Sequence, residues 1–190
     1  PGAFMSMLGV SFLNKIILEN NTLQADQILN ELRENVISSL KQTGEEGEAR
    51  DGMDMSLVVL DMEKMSMDFA GANNPMYMIR GEELNETKAD RMPIAYHIRT
   101  DDFSSHDIPL IKGDCYYLFS DGYPDQFGGP AGKKFKYKPF KQLLLDNRDK
   151  PMEEQKQLLE DVIEQWKAGP DPSGNSYEQV DDILVIGIRI

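Results

Sequence analysis

The chain has 190 residues and a net charge of −13 at pH 7, from 20 Lys and Arg against 33 Asp and Glu. That acid excess argues against nucleic acid and membrane contact, since both need a surplus of Lys and Arg to meet polyanions. With 40% apolar and 28% charged residues, the composition is that of one soluble globular domain over 1–190, large enough to bury a core without staples.

The sequence opens Pro1-Gly2-Ala3-Phe4 without an initiator Met, which reads as a piece of a longer protein. The segment Ala3 to Leu18 has helical periodicity: Met5, Leu8, Phe12 and Ile16 fall on one face, with Pro1 near the first turn. Met7, Val10, Leu13 and Ile17 continue the apolar surface, predicting burial on more than one side. Ser6, Ser11, Asn14 and Lys15 break the run, which is too short for a membrane span, and no signal-peptide pattern precedes it. A second helix is predicted from Asp26 to Lys41, through Ile28, Leu29, Leu32, Val36 and Leu40, with Gly44 as its stop. Gly44 to Asp51 reads as a solvated acidic loop.

The period then changes. Met53 to Met62, Met65 to Ala70 and Met76 to Arg80 predict three antiparallel strands in a meander, the last two separated by Gly71-Ala72-Asn73-Asn74-Pro75. Strands follow at Ser105 to Leu110 and Cys115 to Ser120, joined by the turn Lys112-Gly113-Asp114, and a final strand at Ile183 to Ile190. Helices are predicted at Pro139 to Leu145 and at Pro151 to Lys167, where Leu158, Leu159, Val162, Ile163 and Trp166 share a face and Gly169-Pro170 terminates. Helices on both sides of a run of strands predict an α+β fold with helices packed on antiparallel sheets.

Two acidic turns lie at strand ends. Ser120-Asp121-Gly122 follows the strand at Cys115, and Val180-Asp181-Asp182 precedes the final one. A carboxylate held by a sheet end with its oxygens in solvent suits a hard divalent cation, and Gly122 would let the backbone turn away sharply. Taken alone, the same residues also read as a plain Asp-Gly turn and a solvated strand start.

The pieces Pro1-Gly2-Ala3-Phe4-Met5, Phe69-Ala70-Gly71-Ala72-Asn73-Asn74-Pro75, Gly113-Asp114-Cys115-Tyr116-Tyr117-Leu118-Phe119-Ser120-Asp121-Gly122 and Asp181-Asp182-Ile183-Leu184-Val185 stand in an order and spacing that resemble one family. It is the SpoIIE-like and RsbU-like Ser/Thr phosphatases, within the metal-dependent (PPM, type 2C) protein phosphatases. The resemblance implies a four-layer α-β-β-α sandwich with a cluster of two Mn²⁺ or Mg²⁺ ions. It makes Asp121 and Asp181 metal ligands and the residues that carry catalysis, with Asp182 beside them. A phosphoserine or phosphothreonine would be hydrolysed by a metal-activated water. The implied substrate is a small phosphorylated regulatory protein of the anti-sigma-factor antagonist type, in a bacterial signalling protein.

In that family a further acidic motif, Asp-x-Thr-Gly-His-Gly, precedes the segment that begins here at Pro1. The expectation is therefore an N-terminally truncated domain, weak in metal binding and turnover, with exposed sheet edges that drive self-association, for example as a homodimer. Asp51 and Asp54 are a weaker candidate for a replacement site. A non-catalytic interaction module that keeps the sandwich is the alternative.

Other features are read more plainly. Gly128-Gly129-Pro130-Ala131-Gly132-Lys133-Lys134 lacks the spacing and the Ser or Thr of a P-loop, and reads as a mobile loop beside Asp121. Lys133, Lys134, Lys136, Lys138 and Lys141 alternate with Phe135, Tyr137 and Phe140. They are read as a positive rim that attracts a phosphorylated protein rather than nucleic acid. Seven of the 11 methionines lie between Met53 and Met78 and are read as core filling. Cys115, the single cysteine, is read as a small buried hydrophobe; it excludes an intrachain disulfide and favours a reducing, cytoplasmic setting. Trp166 is assigned to anchor the last helix on the sheet. His97 and His106 are read as surface or hydrogen-bonded residues, and zinc is a poor candidate.

Overall fold

The fold comes from a computed structural model that describes residues 2–19, 24–45, 51–99, 101–169 and 174–190. The expectations placed on Pro1, on the centre of the 44–51 loop and on Pro170 lie outside these. In chain order the elements begin with α1 (Gly2–Glu19), α2 (Ala25–Leu40), β1 (Met55–Asp61), β2 (Ser66–Ala72), β3 (Met76–Arg80), β4 (Glu83–Thr87) and β5 (His106–Pro109). They continue with β6 (Cys115–Phe119), α3 (Gly122–Asp125), β7 (Phe127–Gly128), β8 (Lys133–Lys134), α4 (Tyr137–Asp146), α5 (Met152–Lys167) and β9 (Val185–Arg189). They form two compact units, Pro1–Pro75 with Thr87–Leu110, and Met76–Glu86 with Ile111–Ile190.

The first unit packs α1 and α2 with the antiparallel sheet β1-β2-β5. The apolar stripe of α2 (Ala25, Ile28, Leu29, Leu32, Val36) is buried against Ala70, Ala72, Met92, Ile94 and Phe103. Asp68 on β2 accepts the N–H of Ala25 at 2.5 Å, placing a carboxylate at the positive end of the helix. Lys41, in the left-handed conformation at φ 51°, closes the other end. In α1 only Met5, Gly9 and Ile16 are buried. Burial on more than one side is corrected: Met7, Val10 and Ile17 are exposed, because the helix meets its unit along one narrow stripe. By length and composition alone α1 is apolar enough to cross a membrane; its buried stripe packs with α2 in this core.

The three-stranded meander is also corrected. β1 and β2 pair antiparallel with Met55 opposite Ala72, but β3 pairs with β6 in another sheet. The Gly71–Pro75 segment is a chain crossing rather than a hairpin. Asn73 takes the left-handed conformation at φ 60°, its N–H donates to Asp90 O at 2.9 Å, and Ser56 Oγ donates to Asn74 O at 2.8 Å. A Cβ on Gly71 would lie 2.6 Å from Asn74 O, so only glycine fits that close approach. Nor are the strands around Lys112-Gly113-Asp114 a hairpin, since β5 pairs with β2 and β6 lies between β3 and β9.

The second unit carries the antiparallel sheet β4-β3-β6-β9. All five residues of β6 are buried, the pattern of a central strand covered on both faces. Cys115, Tyr117 and Phe119 share one core with Tyr77, Phe140, Leu144, Leu159 and Ile163, so the apolar faces of α4 and α5 pack there. Phe140 lies edge-on to Phe119 at 5.1 Å and stacked on Tyr123 at 4.8 Å. Truncating such a ring costs about 3–5 kcal/mol. Cys115 is a buried free thiol, as expected.

Candidate active site

The second unit brings the two acidic turns together. Ser120 leaves the end of β6 and Asp121 opens the short helix α3. Sixty-two residues later in the chain, Asp182 O accepts the Ser120 hydroxyl at 2.7 Å, and the Leu184 N–H donates back to that hydroxyl oxygen at 3.0 Å. The backbone adds Ser120 N–H to Leu184 O at 3.0 Å. The serine therefore ties the Asp121 turn to the Asp181-Asp182 turn with its donor and its acceptor both used.

Gly122 works by close approach rather than by the sharp backbone turn assigned to it from sequence. It is buried, and a Cβ there would lie 2.9 Å from the carbonyl carbon of Asp182. Asp121 and Asp181 are both exposed at the surface. The Asp181 carboxylate accepts the Asp182 N–H at 2.7 Å, and its carbonyl accepts Gln179 Nε2 at 2.9 Å.

Gln126, four residues beyond Gly122, is a site residue that sequence reasoning missed. It is 1% exposed. Its Nε2 donates to Glu178 O at 2.9 Å, and its Oε1 accepts the Val180 N–H at 3.4 Å. Its carbonyl accepts Trp166 Nε1 at 3.1 Å and the Phe135 N–H at 2.9 Å. One buried amide thus holds the approach to Asp181 against the helix that Asp121 begins. A lone Gln among Tyr123, Phe127 and Phe135 was the available signal.

The 128–134 segment is a paired hairpin rather than the loop expected from sequence. β7 pairs with β8, Gly128 opposite Lys133, and Gly132 N–H closes the turn on Gly129 O at 3.1 Å. Trp166 anchors α5 to this hairpin rather than to the main sheet: its ring lies edge-on to Phe135 at 5.3 Å. Lys134 pairs with Asp125 at 2.7 Å. The Tyr137 hydroxyl is pushed above its ordinary value, first by burial and then by the charges of Asp121, Asp125 and Glu86, so the start of α4 lies within the field of the Asp121 turn.

Asp114, immediately before β6, serves the fold. It is 2% exposed; Arg80 Nη2 donates to it at 2.6 Å and the Tyr116 hydroxyl at 3.0 Å. Burial alone would raise its pKa, but these donors outweigh it and hold the carboxyl below 3.8. The Tyr116 hydroxyl is in turn pushed up to about 12, by burial first and then by Asp114. Asp54, in the first unit, accepts Asn73 Nδ2 at 2.8 Å; Asp51 uses its carbonyl to receive Gln42 Nε2 at 2.8 Å. His97 is half-buried, its Nδ1 accepting the Arg99 N–H at 3.2 Å, and His106 lies 6.0 Å from the Phe69 ring.

Hard cations such as Mn²⁺ and Mg²⁺ take carboxylate and carbonyl oxygens and retain waters. The exposed carboxylates of the two clamped turns are donors of that kind. Among the described residues no group of three or more His, Cys, Asp or Glu side chains is gathered closely enough to hold a metal by itself. The two turns therefore fit as part of a coordination shell that water or further donors must complete.

Antiparallel sheets flanked by helices are the architecture that this chain shares with PP2C-type phosphatase domains. The chain belongs to the family described as Stage II sporulation protein E (SpoIIE), whose model matches residues 1–190. The fold is similar to the SiaA PP2C domain of Pseudomonas aeruginosa, with a TM-score of 0.85 and 29% identity over 100% of this chain and 70% of that one. It is also similar to the PP2C phosphatase domain, with a fragment of the regulatory domain, of the cell fate determinant SpoIIE from Bacillus subtilis. There the TM-score is 0.70 at 19% identity, over 98% of this chain and 50% of that chain. The catalytic domain of the serine/threonine phosphatase PstP, solved in complex with 2 manganese ions, matches with a TM-score of 0.57 at 15% identity over 85% of this chain and 74% of that one. No curated protein sequence matches this one.

Proposed function

We propose that this chain is the phosphatase module of a bacterial signalling protein, acting on phosphoserine or phosphothreonine in a small phosphorylated regulatory protein, with Asp121 and Asp181 as ligands to Mn²⁺ or Mg²⁺. The observation that carries the reading is the Ser120 clamp, which sets two carboxylate turns side by side across 62 residues of sequence. Family membership and the manganese found in PstP support it. Carboxylate donors suit either ion.

A bound divalent ion pair supplies Lewis-acid polarisation of phosphoryl oxygens and a water of lowered pKa. The chain's own part is positional. Asp121 and Asp181 present oxygens to solvent, Ser120 and Gln126 fix the spacing of their backbones, and the exposed turns leave a phosphate monoester free to approach.

Mn²⁺ titration of the protein by calorimetry tests this. Binding is expected, at least tenfold weaker in Asp121→Ala and in Asp181→Ala, with phosphopeptide hydrolysis lost in both and in chelator. Unchanged Mn²⁺ affinity in the two variants would refute the ligand assignment. A non-catalytic interaction module is the second reading, favoured by the absence of a three-residue metal cluster among the described residues. Metal binding without chelator-sensitive phosphate release would select it.

A further inference from the structure

In a chain of net charge −13, the stretch from β8 into α4 places five lysines within nine residues, 133 to 141, and the structure divides them into two kinds. Lys134 is bound to Asp125 at 2.7 Å. Lys141 is bound to Glu86 at 2.6 Å and sits over the Tyr77 ring at 4.8 Å. These two are internal struts whose charge is already matched. Lys133, Lys136 and Lys138 are exposed, and none of them is in an ion pair among the described residues.

The base that carries these three is rigidly placed beside the Asp121 turn. Phe135 is buried between Tyr123 and Trp166, edge-on to each at 5.3 Å. Lys136 has φ 75°, a conformation that non-glycine residues seldom adopt. It is held there by its N–H, which donates to Pro124 O at 2.6 Å, and Pro124 lies in the helix that Asp121 opens. From Lys133 to Lys138 the chain spans at most about 18 Å, so at low salt the three charges act on a ligand as one field. Rim lysines of this kind raise the encounter rate with an acidic partner while the contact geometry is set elsewhere.

We infer that Lys133, Lys136 and Lys138 form a docking rim for the acidic, phosphorylated segment of a protein substrate, with Lys134 and Lys141 holding the rim in place. The inference rests on the phosphatase reading of Asp121 and Asp181 for its location, and it names which lysines recognise the substrate. The sequence alone grouped all five.

The test measures binding without metal, so that it stands apart from turnover. The probe is a fluorescent peptide with one phosphoserine flanked by glutamates, followed by anisotropy at low ionic strength. Lys133→Glu/Lys136→Glu/Lys138→Glu is expected to raise Kd about tenfold or more, with a flattened salt dependence. Lys112→Glu, a charge change at an exposed turn elsewhere, is expected to leave Kd within about twofold. Equal weakening by both variants, or none by the triple variant, overturns the rim. So does tighter binding of a single-stranded oligonucleotide than of the peptide. The triple Lys→Gln variant, which adds no repulsion, guards against misfolding: a native circular dichroism spectrum with unchanged Kd also overturns the rim. Loss of Mn²⁺ binding in Asp121→Ala reports on the metal reading separately, so either can fail while the other stands.

Discussion

Ser120 donates its hydroxyl hydrogen to the carbonyl oxygen of Asp182 at 2.7 Å and accepts the Leu184 N–H at 3.0 Å. A side chain of two heavy atoms thus sets the distance between the two acidic turns. Ser120→Ala removes both bonds and leaves Leu184 N–H without that acceptor. It is expected to cost about 1–2 kcal/mol and lower Tm by roughly 2–8 °C for a domain of this size, read by thermal denaturation followed by circular dichroism. Because both Asp side chains remain, a larger proportional loss in Mn²⁺ affinity than in stability would show that spacing rather than charge was removed.

Gly122→Ala probes the same contact from the backbone. Its methyl would stand 2.9 Å from the Asp182 carbonyl carbon, and neither partner is a flexible side-chain tip that can step aside. We expect a destabilisation of about 1–3 kcal/mol from overpacking, read as a fall in the urea midpoint. A stability equal to wild type would refute the close packing of the two turns at Gly122. The result separates the close-approach role of Gly122 from conformational freedom, since glycine at this position has no positive φ.

Asp114 and Arg80 make a stability prediction with a sign. Burial raises the Asp114 pKa, the Arg80 and Tyr116 donors lower it more, and the net folded value lies below the unfolded 3.8. A depressed folded pKa means that the charged form contributes stability above the unfolded value, and that this contribution drains away as pH falls through the folded one. Asp114→Asn, which leaves the partly exposed Arg80 without its carboxylate, is expected to cost about 1–2 kcal/mol at pH 7. Its stability curve should be flatter than wild type below about pH 4. Parallel acid limbs for the two proteins would remove the linkage.

Much of the fold was legible because periodicity reports which face of an element is buried. Spacing of three and four residues located α2 and α5, and the alternating runs located β1 and β2 to within a few residues. The same signal does not say which strand lies next to which. β3 follows β2 after three residues and yet pairs with β6, 39 residues on by the Met76 to Cys115 numbering. Two polar hubs of the site were invisible for a related reason. Gln126 and Ser120 act through hydrogen bonds to residues 52 and 62 positions away, and no local pattern records a bond that closes only when distant segments meet.

The sequence by itself determined the acidic character, the longer helices and strands, the order of the motifs, the family to which the chain belongs and the two turns that carry Asp121 and Asp181, but not β4, α3 or the β7-β8 hairpin. Those follow from composition and from residues near one another in the chain. Only the tertiary structure decided that Asp114 is a buried partner of Arg80, that Lys134 and Lys141 are spent on Asp125 and Glu86, and that Gly122 is there for its missing Cβ. A charge or a glycine has no role until its neighbours in space are known. Those neighbours are set by non-local packing, whose free energy outweighs the local preferences that a sequence displays.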